Sequence, residues 1–230
     1  RTAMQYIGEK ATRSTSVPMK RTTDPIVTGS AVFALKYKDG VMMCTDTLAS
    51  YGSMSMFKQV QRMHILRNNV IIGFDGEYSD FTYIIEELEK MLDESAFTED
   101  NSMLTASATF NFLRAWLYNM RTKMEPLWNT LVVIGLEGDK PFLGIVDKLG
   151  AAYEENFVST SFGLYFCLPL MRSLYRENMT EEEARAVLEE CARVGYYRNC
   201  LATSRIQLAK VTREGCVISD SYTLETKWPV

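Results

Sequence analysis

Apolar and polar positions along this chain repeat with two periods, and the places where the period changes mark its elements. Residues 28–36 and 41–47 are runs rich in Val, Phe, Leu and Met, and they flank Lys38, Asp39 and Gly40. An Asp-Gly pair between two such runs signals a hairpin, because its turn needs residues that tolerate positive φ. The spacing predicts two antiparallel strands there. A second pair is predicted at 63–66 and 70–74, bracketing Arg67, Asn68 and Asn69.

After Gly76 the period lengthens. Phe81, Ile84, Ile85, Leu88 and Leu92 recur at helical spacing, with Glu86, Glu87, Glu89 and Lys90 on the other side. Phe110, Leu113, Leu117 and Met120 repeat the pattern, and Pro126 closes it by driving Glu125 out of the helical region. Strands return at 130–136 and 142–146 around the turn sequence EGDKP, and Gly150 opens a further short extended piece. Residues 161–176 predict a helix that Pro169 weakens. Thr180 and Glu183 make a capping box ahead of Ala184, Val187, Leu188, Cys191 and Val194 on one face. Asn178, Met179 and Thr180 also match a glycosylation acceptor, but the cap accounts better for Thr180. Residues 205–211 and 216–219 close the chain as a hairpin around Arg213, Glu214 and Gly215.

Helices grouped in pairs between antiparallel hairpins cannot alternate with strands across a sheet, so they are expected as layers outside two stacked sheets. The fold class predicted is α+β, a four-layer αββα sandwich. Residues 1–28 are expected as an N-terminal extension or propeptide-like segment, 29–220 as the domain and 221–230 as a C-terminal tail without a periodic apolar face.

Composition narrows the functional classes. With 230 residues, 47% of them apolar, the chain can bury a substantial core. A net charge of −4 leaves no basic excess to displace counterions from a nucleic-acid backbone. Cys44, Cys167, Cys191, Cys200 and Cys216 form no CxxC pair, and with the single His64 they match no metal-binding spacing. They read as reduced thiols, and no cofactor is expected. The longest apolar runs are too short to span a bilayer. The first 22 residues are rich in Ser, Thr, Lys and Arg and lack a clear apolar face, so a flexible extension or propeptide is favoured over a transit peptide. Tyr51, Tyr83, Tyr153, Tyr196 and Tyr197 read as core or interface aromatics.

Chemistry centres on Ser30, a hydroxyl placed directly after Gly29 at the start of an apolar run. It is either a nucleophile exposed by cleavage or an ordinary strand residue. Asp46, at the end of the following run, reads by itself as a turn or hydrogen-bonding residue.

The stretch TGSAVFALKYKDGVMMCTD, in this order of elements, resembles the beta subunits of the proteasome core particle, which are N-terminal-nucleophile hydrolases. The likeness runs from about Pro25 to the end. The segments DPIVTGSAV, LASYGS, MEPLWNT, FLGIVDKLGAAYE, YYRN and ETKW are similar in particular to the beta-7 group, also called beta type-4. Nothing in residues 1–28 resembles the N-terminal helix and Tyr-Asp-Arg-like motif of the alpha subunits.

In that resemblance, catalytic members use the hydroxyl of a new N-terminal Thr, with its own α-amine as base, after cleavage behind a Gly. The nucleophile position falls on Ser30, and Asp46 matches the catalytic Asp. A nearby Lys is replaced by Arg62, which stays charged and cannot shuttle a proton. General acid–base help of that kind is worth roughly 10²- to 10⁴-fold in rate. Leu48 replaces an Arg, Asn199 a second Asp and Ala202 a Ser, while Ser161 matches another pocket serine. The resemblance therefore implies a subunit with no catalytic residues of its own. It would be seated in a ring of seven beta subunits among alpha and beta partners in the cytoplasm and nucleus, reached by regulatory particles through the whole complex. In the family the C-terminal tail can reach the opposite ring. Trimming is expected near Arg21, Thr22 and Thr23, upstream of Ser30. The alternatives are an active protease subunit using Ser30 after cleavage at Gly29, and a free-standing amidase of the same fold.

Overall fold

The computed structural model describes residues 24–67, 69–97 and 105–228, and the expected trimming positions Arg21, Thr22 and Thr23 lie outside them. Two antiparallel sheets lie face to face. The first contains β1 (Val27–Gly29), β4 (Ala49–Tyr51), β5 (Met54–Phe57), β6 (Met63–Leu66), β7 (Val70–Glu77), β8 (Asn129–Glu137), β9 (Lys140–Val146) and β10 (Ala152–Glu154). Its order is β10-β9-β8-β7-β1-β4-β5, with β6 also on β7. The second contains β2 (Val32–Tyr37), β3 (Gly40–Asp46), β11 (Phe157–Ser159), β12 (Arg205–Thr212), β13 (Gly215–Ile218) and β14 (Tyr222–Thr223). Its order is β11-β2-β3-β12-β13, with β14 on β12.

Three apolar layers separate four structural ones. Strand β2 shows why: Val32 and Ala34 face the other sheet and cluster with Met43 of the neighbouring β3 and with Ile71 and Val132 of the facing sheet. Phe33 and Leu35, pointing the opposite way, pack with Val187, Leu188 and Cys191 of α5 (Glu181–Arg198). Strand β7 repeats this, with Ile72 and Phe74 packing on α1 (Tyr78–Phe97) and α2 (Ala106–Thr122). Strands buried on both faces read as continuous apolar runs instead of alternating ones. The αββα sandwich expected from the element order is thus the observed fold, with α3 (Gly163–Phe166), α4 (Leu168–Leu174) and α5 outside the second sheet.

The structure departs from the sequence reading at three places. Residues 28–36 are not one strand: the chain leaves the first sheet after Gly29 and enters the second at Val32. A change of partner sheet leaves no mark on hydrophobic periodicity, because both pieces are extended. The helix expected over 161–176 is two short helices that meet at Cys167, with Ser161 at φ 51° before the first. Pro169 lies in the first turn of α4, where a missing N–H breaks no helical bond.

The third departure is the tail. Strand β14 pairs with β12, and Leu224 is 5% exposed within the outer core of the second sheet. Tyr197 donates its hydroxyl to the Lys227 carbonyl at 2.9 Å and accepts from the Lys227 N–H at 2.7 Å. The Trp228 ring meets Tyr197 edge-on at 4.9 Å. Residues 221–228 thus fold back on α5 of their own domain instead of standing apart from it. The capping box does form, with the Thr180 hydroxyl accepting from the Glu183 N–H and the Glu183 carboxylate accepting from the Thr180 N–H.

Candidate functional site

The crossing from sheet to sheet positions Ser30. On its upstream side, β1 fills the space between β4 and β7, pairing Thr28 with Ser50 and with Glu77, and Gly29 with Ala49 and with Gly76. The Glu77 carboxylate anchors the start of this strand by accepting from the N–H groups of Ile26 and Val27. Both edges available to an extended strand beside Ser30 are therefore occupied by the chain itself.

Ser30 donates its hydroxyl to Asp46 Oδ2 at 3.1 Å, so the residue at the end of β3 is a partner of the candidate nucleophile and not merely a turn residue. The Thr203 N–H donates to the same oxygen at 3.1 Å. Asp46 Oδ1 accepts from Nη1 of Arg62, whose side chain is fully buried. Nη2 of Arg62 donates to the carbonyl of Ser30 and, at 2.8 Å, to that of Phe74. The guanidinium carbon lies 5.5 Å from the centre of the Phe74 ring. One cation thus binds the Ser30 crossing, the end of β3 and strand β7 together. The guanidinium also explains Gly29, because a Cβ there would overlap its Nε, Cζ and Nη2 atoms.

Burial pushes the Asp46 carboxyl above the ordinary carboxylate value. Arg62, the Thr203 N–H and the Ser30 hydroxyl pull against that push. Arg62 cannot accept a proton, and the nitrogen of Ser30 is an amide joined to Gly29 within the sheet. Neither can serve as the base that a hydroxyl nucleophile needs. The cavity beside the hydroxyl holds about 20 Å³ and is lined by Ser30, Asp46, Phe162, Asn199 and Ala202 among others. That is space for about one water.

The structure thus gathers Ser30, Asp46, Arg62, Asn199 and Ala202 in one place. Asn199, at the end of α5, directs its Oδ1 to the Leu201 N–H at 3.0 Å. Leu48 is buried at 3% exposure. Ser161 lines a different cavity, described below. His64, a residue without a motif partner in sequence, lies 3.1 Å from Glu89 of α1. Tyr51 and Tyr153 are about half exposed, while Tyr196 and Tyr197 cluster with Trp228.

Sequence reasoning missed Asp75. It lines a cavity of about 520 Å³ together with Trp128, Asp147, Lys148, Thr160 and Ser161. Burial raises its carboxyl to about 6, with the Arg62 charge and the hydroxyls of Thr160 and Ser161 opposing. Asp75 follows the apolar run 70–74 and belongs to no motif, so nothing in the sequence marked it as an acidic group inside β7.

A paired-sheet sandwich with a hydroxyl, a carboxylate and a cation at the sheet crossing defines the class of fold on which N-terminal-nucleophile hydrolases are built. Residues 26–211 match the family model described as proteasome subunit. The chain belongs to the proteasome subunit family. It is 40% identical to proteasome subunit beta type-4 of Dictyostelium discoideum, over 90% of this chain and 81% of that protein. Proteasome subunit beta type-4 of Arabidopsis thaliana is 37% identical over 91% of this chain and 85% of its own length. A probable proteasome subunit beta type-7 of Schizosaccharomyces pombe is 35% identical over 96% and 87%.

Proposed function

We propose that this chain is a non-catalytic, structural beta subunit of the proteasome core particle, serving ring assembly while other subunits hydrolyse substrate. The observation that carries this reading is the state of Ser30. Its amide is held between two sheets, its carbonyl is bound by Arg62 and its hydroxyl faces space for about one water. A nucleophile would need a free amine and an approach for a peptide strand, and β1 occupies that approach. The likeness to subunits named beta type-4 and type-7 supports the same reading.

The test is the intact mass and N-terminal sequence of the chain taken from assembled particles, with peptide hydrolysis measured beside a Ser30→Ala variant. A terminus upstream of Ser30 and unchanged hydrolysis are expected. A terminus at Ser30, with loss of one activity in the variant, would overturn the proposal. One observation favours that protease reading, the hydrogen bond from Ser30 to Asp46. It requires cleavage after Gly29 and a proton acceptor that Arg62 does not provide.

A further inference from the structure

The cavity of about 520 Å³ beside Asp75 shares no lining residue with the space for one water beside Ser30, and strand pairing shows how it is built. Asp75 of β7 pairs with Thr130 of β8. Leu131 pairs with Val146 of β9, so Asp147, the next residue, comes beside Thr130. Side chains two apart on a strand share a face. Ile71, Val132 and Ile145 of these strands lie in the apolar layer between the sheets, so Asp75, Thr130 and Asp147 continue the same face beyond its end. The layer thus finishes in a row of carboxylate, hydroxyl and carboxylate, all three lining the cavity. The two carboxylate residues are two strand spacings apart, roughly 10 Å.

The lining is rich in acceptors and poor in donors. Asn129, 1% exposed, lines the cavity and donates its amide to the Glu77 carbonyl at 2.9 Å, while its buried Oδ1 has no hydrogen-bond partner. A buried acceptor left in this way points to a water or an ion that supplies the donor. Asp147 turns Oδ1 to the N–H groups of Leu149 and Ala151, at 2.9 and 2.8 Å, within its own turn. Lys148 is the one cation of the lining, and its ammonium lies 3.5 Å from the centre of the Trp128 ring. No group of three His, Cys, Asp or Glu side chains among the described residues converges as a metal site would require. Apolar Trp128, Ile145 and Leu164 complete the walls.

We propose that this cavity binds a linear aliphatic diammonium ion, with one ammonium on Asp75, the other on Asp147 and the methylenes against Trp128, Ile145 and Leu164. An ammonium brings three donors and no acceptor, which matches carboxylates, the Thr130 hydroxyl and the unpartnered Oδ1 of Asn129. A monoammonium ion of the same length reaches one carboxylate only, and an anionic ligand meets like charge. The volume falls within the range of small-molecule sites, roughly 300–1,000 Å³. The cavity is built by this chain alone, so its ligand does not depend on the reading of the chain as a structural subunit.

The test titrates tetramethylenediamine into the full chain by calorimetry, beside Asp75→Asn and Asp147→Asn. Asn at 147 keeps an oxygen for the N–H groups of Leu149 and Ala151, and cooperative thermal unfolding checks the fold of each variant. One saturable site per chain is expected, with each variant weakening it about tenfold through loss of a charge-assisted contact. Butylamine should bind about tenfold more weakly than the diamine for the same reason. Butylamine binding as tightly as the diamine, unchanged affinity in both variants, or no saturation in a folded chain would overturn the proposal. A second measurement irradiates a diazirine-bearing diamine with particles that contain the chain and locates the label by mass spectrometry, and it decides the matter if the chain does not fold alone. Label within 128–130, 145–148 or 160–164, suppressed by excess tetramethylenediamine, is expected. Label elsewhere on this chain, or none, would overturn the site and leave the subunit reading intact.

Discussion

Two carboxylates, the buried Asp46 and the half-buried Asp75, lie on facing sheets within reach of the same Arg62 charge, yet their surroundings differ sharply. Asp46 is bound by a guanidinium, a backbone N–H and a hydroxyl, beside a cavity that admits about one water. Asp75 borders a cavity of about 520 Å³ that Thr160 and Ser161 also line. The first gathers the residue types of a catalytic centre beside space for about one water. The second has room but no nucleophile assigned to it. Residue identity alone does not make a site; a free base and space for a ligand decide it.

The comparison breaks most strongly at Arg62. Arg62→Ala leaves Asp46 and the carbonyls of Ser30 and Phe74 without their donor, and should cost about 3–5 kcal/mol in denaturant unfolding. Replacing both partners at once, with Arg62→Met and Asp46→Leu, should recover a large part of that loss. A double variant as unstable as the single one would show that the pair is not what binds the sheets.

Asp75→Asn probes the open site. A carboxyl whose folded pKa is raised from 3.8 to about 6 binds its proton more tightly in the folded state. Its contribution is most favourable below the unfolded value and is lost as pH rises toward 6. The variant should therefore be more stable than wild type at pH 7, by at most ~3 kcal/mol, and the difference should disappear near pH 3. A constant difference across that range would exclude titration of Asp75 as its source.

Gly29→Ala sharpens the closed site by asking how tightly Arg62 is held. The added methyl meets the guanidinium, and a cost of about 1–3 kcal/mol in thermal unfolding is expected. The smallest effect belongs to Ser30→Ala, which removes one hydrogen bond and should cost about 1 kcal/mol with no change in particle hydrolysis.

Much of the frame was legible in the sequence. The Asp39-Gly40 turn marked the β2 and β3 hairpin, apolar spacing marked α1 and α2, and Thr180 with Glu183 marked the start of α5. The resemblance brought Ser30, Asp46 and Arg62 together before any coordinate did. What stayed hidden depends on partners that lie far away in the chain. An apolar run does not record which sheet it joins, so the crossing at Ser30 was invisible. An Arg is ordinarily a surface residue, and its complete burial follows only from three acceptors supplied by β3, β7 and the Ser30 crossing. Leu224 was missed because one buried residue in a short segment makes no period.

Gly29 has a consequence for how this position can drift over generations. A glycine ahead of a hydroxyl is easily taken as the relic of a scissile bond, but here its missing side chain is the room in which the Arg62 guanidinium lies. Positions 29 and 62 are therefore linked in the replacements open to them. A lineage that shortened residue 62 would be released from glycine at 29, and one that keeps arginine would retain glycine long after any cleavage had ceased to matter.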